Sequence, residues 1–84
     1  MANFVVAYDL NKQGQNYDCI TEKLKSLHSF HAQGSVWFVK YDGTAGQLRD
    51  HLSPCCDKND VLFVGKLETW SGYHMPKGAD FLNS

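Results

Sequence analysis

The run Asn3-Phe4-Val5-Val6-Ala7-Tyr8-Asp9 is apolar or aromatic at every position between its two polar ends. Side chains alternate along a strand, so Phe4, Val6 and Tyr8 point one way while Val5, Ala7 and Asp9 point the other. Both sets are apolar up to Asp9. The pattern predicts a central strand covered on both faces, delivering a carboxylate to the rim of a sheet.

Two further runs have the same character: Ser35-Val36-Trp37-Phe38-Val39-Lys40-Tyr41, and Asp60 to Lys66 with Val61-Leu62-Phe63-Val64 at its centre. Between them lie two helical patterns. Asn16 is suited to cap a helix running from about Tyr17 to Ser29, with Tyr17, Ile20, Leu24 and Leu27 on its apolar face. Asp18 and Glu22 near its start, with Lys23, Lys25 and His28 near its end, complement the helix dipole. Thr44 and Gln47 form a capping-box pattern ahead of Ala45, Leu48 and Leu52, and Pro54 follows as a stop. Phe30 to Gln33 reads as a short edge strand, Leu10 to Gln15 and Cys55 to Asn59 as loops.

The order is strand, helix, short strand, strand, helix, strand. This is the α+β, ferredoxin-like βαββαβ arrangement, an antiparallel sheet with two helices on one face. Residues 1–67 make that domain. Residues 68–84, richer in glycine and polar side chains, form a C-terminal extension that packs on the domain or on a dimer partner. Trp70 and Tyr73 suggest that it folds back, with a helical turn over Ala79 to Asn83.

Two helices cover only one face, yet every strong strand is apolar on both. An uncovered second face is a large hydrophobic patch of the kind that marks an interface. A homodimer, sheet facing sheet, is therefore expected, with the tail as the rival cover. The 84 residues suffice for one small core, and association would add to its stability.

Eight basic residues against nine acidic ones, with Arg49 the only arginine, supply no strong pull toward duplex nucleic acid or anionic membrane. No stretch approaches the ~20 apolar residues of a membrane span, and no signal peptide is recognisable. The cysteines, Cys19, Cys55 and Cys56, are odd in number with two adjacent, a poor disulfide framework without zinc spacing. Reduced thiols in a cytoplasmic protein are expected, with Cys19 facing the core.

The layout carries a resemblance. Val6-Ala7-Tyr8-Asp9-Leu10, a helix, Ser35-Val36-Trp37 and Asp60-Val61-Leu62-Phe63-Val64 resemble the small CRISPR-associated protein of the spacer-acquisition complex and the virulence-associated protein D ribonucleases. Trp37-Phe38-Val39-Lys40 and Trp70-Ser71-Gly72-Tyr73 are most similar to the SinR-like branch. The resemblance implies a ferredoxin-like homodimer whose strand-end aspartates meet near the two-fold axis. Carried over, Asp9 of each subunit would be the catalytic carboxylate and the ligand of one Mg²⁺ or Mn²⁺ in an endoribonuclease.

Each candidate also has a plainer reading. Asp9 at a strand end can cap a turn. Trp37 and Tyr41 can stack a base or simply pack. Lys12 and Lys40 can touch phosphate or sit solvated, and Tyr8 beside Asp9 joins Lys12, Trp37 and Lys40 as a candidate substrate contact. His28 and His31 form a possible proton-transfer pair or partner the helix dipole. Asp57, Asn59 and Asp60 match no calcium-loop consensus and read as a polar turn. Against the nuclease stands a non-catalytic dimeric binding module: a nucleic-acid adaptor, a nucleotide-sequestering protein or a protein inhibitor. In such a module Trp37, Tyr41, Trp70 or Tyr73 would stack on a nucleotide or RNA ligand.

Overall fold

The computed structural model describes residues 1–10 and 17–84. Lys12, the connection after Leu10 and the expected cap Asn16 lie outside the described residues. The elements in chain order are β1 (Ala2–Asp9), α1 (Asp18–Lys25), β2 (His28–Gln33), β3 (Val36–Tyr41), α2 (Ala45–Leu52), β4 (Val61–Lys66) and α3 (Pro76–Asn83). The strands form one antiparallel sheet in the order β2-β3-β1-β4, so the apolar first run is indeed central.

Register sorts the side chains onto two faces, because residues directly opposite in a ladder point the same way. On the first face Phe4, Val6 and Tyr8 stand beside Val39, Trp37 and Leu62. All of these but Leu62, which packs against the edge, form the core together with Ile20 and Leu24 of α1 and Leu48 and Leu52 of α2. Phe4, Val6, Val39, Ile20, Leu24, Leu48 and Leu52 are fully enclosed. Burying each contributes about 1.5–3 kcal/mol. Both helices therefore pack on this one face.

α2 begins as its sequence demands. The Thr44 hydroxyl accepts from the Gln47 backbone N–H at 3.1 Å, and the Gln47 side chain accepts from the Thr44 N–H at 2.8 Å. A single 3-10 turn, Ser53–Cys55, follows where a loop is expected from Cys55, with Pro54 inside it. α1 is shorter than its periodicity suggests, ending at Lys25 rather than Ser29. Serines stop it. The Ser26 hydroxyl donates to the Lys23 carbonyl and the Ser29 hydroxyl to the Leu24 carbonyl, each at 2.6 Å. These bonds satisfy helix-end carbonyls and release the backbone into β2 two residues earlier than expected.

The cysteines are a correction to the sequence reading. Cys19 and Cys55 form a disulfide, their Cα atoms 5.6 Å apart, and only Cys56 is a free thiol. Cys19 is exposed on the first turn of α1 rather than core-facing, while Cys55 is buried. Packing both helices on one face brings residues 36 apart in sequence into register, which spacing alone does not reveal. Closing a loop of that size stabilises the fold by about 4 kcal/mol in the chain-entropy account.

The second face carries Asn3, Val5 and Ala7 of β1, Val36, Phe38 and Lys40 of β3, His28 and Phe30 of β2, and Val61 and Phe63 of β4. α3 folds back across part of it. The Phe81 ring stacks on Phe30 at 5.8 Å and meets His28 edge-on at 5.3 Å, while Phe30 stacks on Phe38 at 6.4 Å. Gly78 lets the helix come close: a Cβ there would lie 3.2 Å from the Phe38 ring. The terminal helix is thus a full element rather than the expected turn. It docks through Phe81 and Leu82, whereas Trp70 and Tyr73 remain exposed.

Candidate functional site

Asp9 ends β1 and is exposed. Its ladder partner is Val61, and the next pair inward on the same face is Ala7 with Phe63. Val61 and Phe63 are 56% and 59% exposed, far more than any other strand-borne apolar side chain. Gly65 completes the row, and the Phe63 ring lies over the space a Cβ there would occupy, 3.2 Å away. The result is a bare apolar strip along β1 and β4 with one carboxylate at its end.

The other sequence-picked residues are placed elsewhere. Tyr8 and Trp37 do come together, the indole N–H donating to the Tyr8 hydroxyl at 3.2 Å, but on the opposite face and buried. His31 covers one side of the Trp37 ring, parallel at 4.2 Å, and one of its ring nitrogens lies 2.7 Å from the Gly34 carbonyl. Trp37 is thus a core residue with a satisfied N–H, as buried indoles require. Tyr41 packs edge-on against Phe4 at 6.1 Å. His28 and His31, adjacent in the sequence argument, point to opposite faces of β2.

Lys40 is buried, an unusual place for an ammonium. Its Nζ donates to the Asn3 side-chain oxygen at 2.9 Å and to the Ser84 oxygen at 3.1 Å, and it lies 5.2 Å from the Phe81 ring centre. The Asn3 side-chain amide in turn donates to the Leu82 carbonyl at 2.9 Å. Lys40 and Asn3 therefore bind the end of α3. Sequence reasoning missed this role, although a lysine aligned with Val36 and Phe38 on one strand face was a visible irregularity.

An open cleft of about 300 Å³ lies where the tail enters α3, lined by Trp70, Gly72, His74, Met75, Pro76 and Ala79. Its His74 has a positive φ of 55° and stacks on exposed Tyr73 at 4.0 Å. Beyond the 3-10 turn, Cys56 is partly enclosed. Burial, then the negative charges of Asp60 and Asp57, pushes its thiol above the usual range.

Among the described residues no three His, Cys, Asp or Glu side chains converge as a metal site, and no helix is long and apolar enough to cross a membrane. No protein-family model matches the chain, and no solved structure is a significant match.

Proposed function

We propose that the chain is a ferredoxin-like module that acts as a homodimer. In this reading the bare β1–β4 halves of two sheets meet, and two Asp9 carboxylates at the seam serve divalent-metal-dependent cleavage of RNA. The observation that carries the reading is that Asp9 shares a face with exposed Val61 and Phe63. Whatever buries that strip lies beside the carboxylate. The strand order β2-β3-β1-β4, with α1 and α2 on one face, supports the ferredoxin-like assignment.

One copy supplies one carboxylate from Asp9; two copies supply two. Mg²⁺ and Mn²⁺ accept one or two carboxylates together with water and substrate phosphates, so this donor set fits. When bound, the cation supplies charge stabilisation for the phosphodiester and an activated water. Asp9 would hold and orient it. Without a cation, two facing carboxylates repel, so dimerisation should strengthen when Mg²⁺ is added. In this reading the chain lies in the cytoplasm with its RNA substrate, a compartment in which a bond such as Cys19–Cys55 is uncommon.

A second reading has its own support. Tyr8, Trp37 and Lys40, three of the four candidate substrate contacts, are engaged in packing or in holding α3. With those three engaged, a dimeric binding module without catalysis would present exposed Trp70 and Tyr73 to its ligand. Fluorescent single-stranded RNA incubated with Mn²⁺ or Mg²⁺ separates the two. The nuclease predicts cutting by the wild type and none by a still-dimeric Asp9→Asn variant. Equal cutting by both removes Asp9 from the mechanism, and no cutting by an intact dimer leaves the binding module.

A further inference from the structure

We infer that the cleft at the entry to α3 binds a neutral planar heterocycle of the nucleobase type, stacked on Trp70 and hydrogen-bonded by His74. This names a ligand class for the exposed aromatics of the second reading, and it stands whether or not Asp9 serves RNA cleavage.

The walls follow from the local sequence. β4 ends at Lys66, and the Leu67 N–H still donates to the Asn3 carbonyl at 2.8 Å, one residue beyond the strand. The chain then turns through residues 68–75 into α3. Gly72 has no side chain where Met75 lies: a Cβ there would meet the Met75 Cγ at 2.6 Å and its sulfur at 2.7 Å. A Cβ at Gly78 would lie 3.1 Å from the Met75 methyl. The thioether is therefore wedged between two glycines. Pro76, with its fixed φ, opens the helix, and the Ala79 N–H donates to the Met75 carbonyl at 2.9 Å. With Lys40 and Asn3 holding the far end of α3, the cleft is formed before any ligand arrives, as small-ligand sites usually are.

His74 marks the place. Its φ of 55° is a conformation that glycine adopts freely and other residues only at a cost. Tyr73 steadies the imidazole by stacking on it, the two planes 13° apart. Strained residues of this kind gather where ligands are held. The lining then selects the ligand. None of its six residues is Lys, Arg, Asp or Glu, so it offers no ion pair to a phosphate, carboxylate or ammonium group. Trp70 is 36% exposed, and an indole stacks on the face of any base. A thioether such as that of Met75 makes favourable contacts with aromatic rings. The indole N–H only donates, whereas an imidazole nitrogen donates or accepts, which suits the mixed edge of a base. At about 300 Å³ the cleft takes one ring system and leaves an attached sugar or phosphate in solvent.

Calorimetry and amide and indole NMR spectra of the full chain, titrated with adenosine, test the site. Binding is expected, with the Trp70 indole and Ala79 signals moving and the Trp37 indole, held by Tyr8 in the core, unmoved. Trp70→Ala should weaken binding about tenfold or more. His74→Gly suits the backbone, so its urea midpoint should hold or rise while affinity falls about fivefold. Adenosine monophosphate should bind within about threefold of adenosine. If Trp70→Ala does not fold, His74→Gly decides. No binding at millimolar adenosine, unmoved Trp70 signals, full affinity in either variant, or a marked preference for the monophosphate would overturn the inference. The readout is binding rather than cleavage, so that failure leaves the test of Asp9 standing.

Discussion

The second face of the sheet has two halves made of similar residues with opposite fates. Over β2 and β3, Phe30 and Phe38 are sealed by α3 through Phe81 and Gly78. Over β1 and β4, Val61 and Phe63 stay more than half exposed. Hydrophobicity alone does not separate them; reach does. A helix is about 10 Å across with its side chains, roughly two strand spacings of ~4.8 Å. Two helices therefore cover the four strands of the first face, and one helix covers half of the second. The uncovered half is the part of the second face that no element among the described residues reaches.

Breaking the covered half should have the largest effect. Phe81→Ala removes the ring that seals Phe30 and should cost about 2–3 kcal/mol in urea unfolding, below the range for a fully enclosed phenylalanine because Phe81 is partly exposed. It should also raise binding of an apolar dye as the two halves become alike. Lys40→Ala strips the ammonium from Asn3 and Ser84 and should cost about 1–2 kcal/mol by the same measurement. Phe63→Asp, in the bare half, should move unfolding of the monomer by no more than about 0.5 kcal/mol. Its effect should appear in sedimentation velocity instead, as loss of the proposed dimer. If Phe63→Asp destabilises the monomer as strongly as Phe81→Ala, the contrast between the halves is wrong.

Much of the architecture is legible because it rests on local rules. Continuous apolar runs announce β1, β3 and β4, and Thr44 with Gln47 announces α2 from four residues of sequence. The C-terminal limit of α1 is not legible in its apolar spacing, because Leu27 continues the helical pattern while the hydroxyls of Ser26 and Ser29 end the helix. The disulfide is hidden for a different reason: which of two adjacent cysteines meets Cys19 depends on how two helices settle on a sheet. At the candidate site, Asp9 stands out as the first polar residue after an apolar strand. The fates of Tyr8, Trp37 and Lys40 are tertiary facts, fixed by which face each occupies and by where the tail comes to rest.

The bonds from Asn3 to Leu82 and from Lys40 to Ser84 span 79 and 44 positions of sequence. Their consequence is chronological. The β2–β3 hairpin that carries Phe30 and Phe38 is a local structure and forms early, but its cover, α3, is made after all four strands, and the anchor for that helix is completed only when β1 has paired with β3. During synthesis the hairpin's aromatic surface stands open until α3 arrives. The half of the sheet that ends up sealed thus stays bare through the synthesis of every strand.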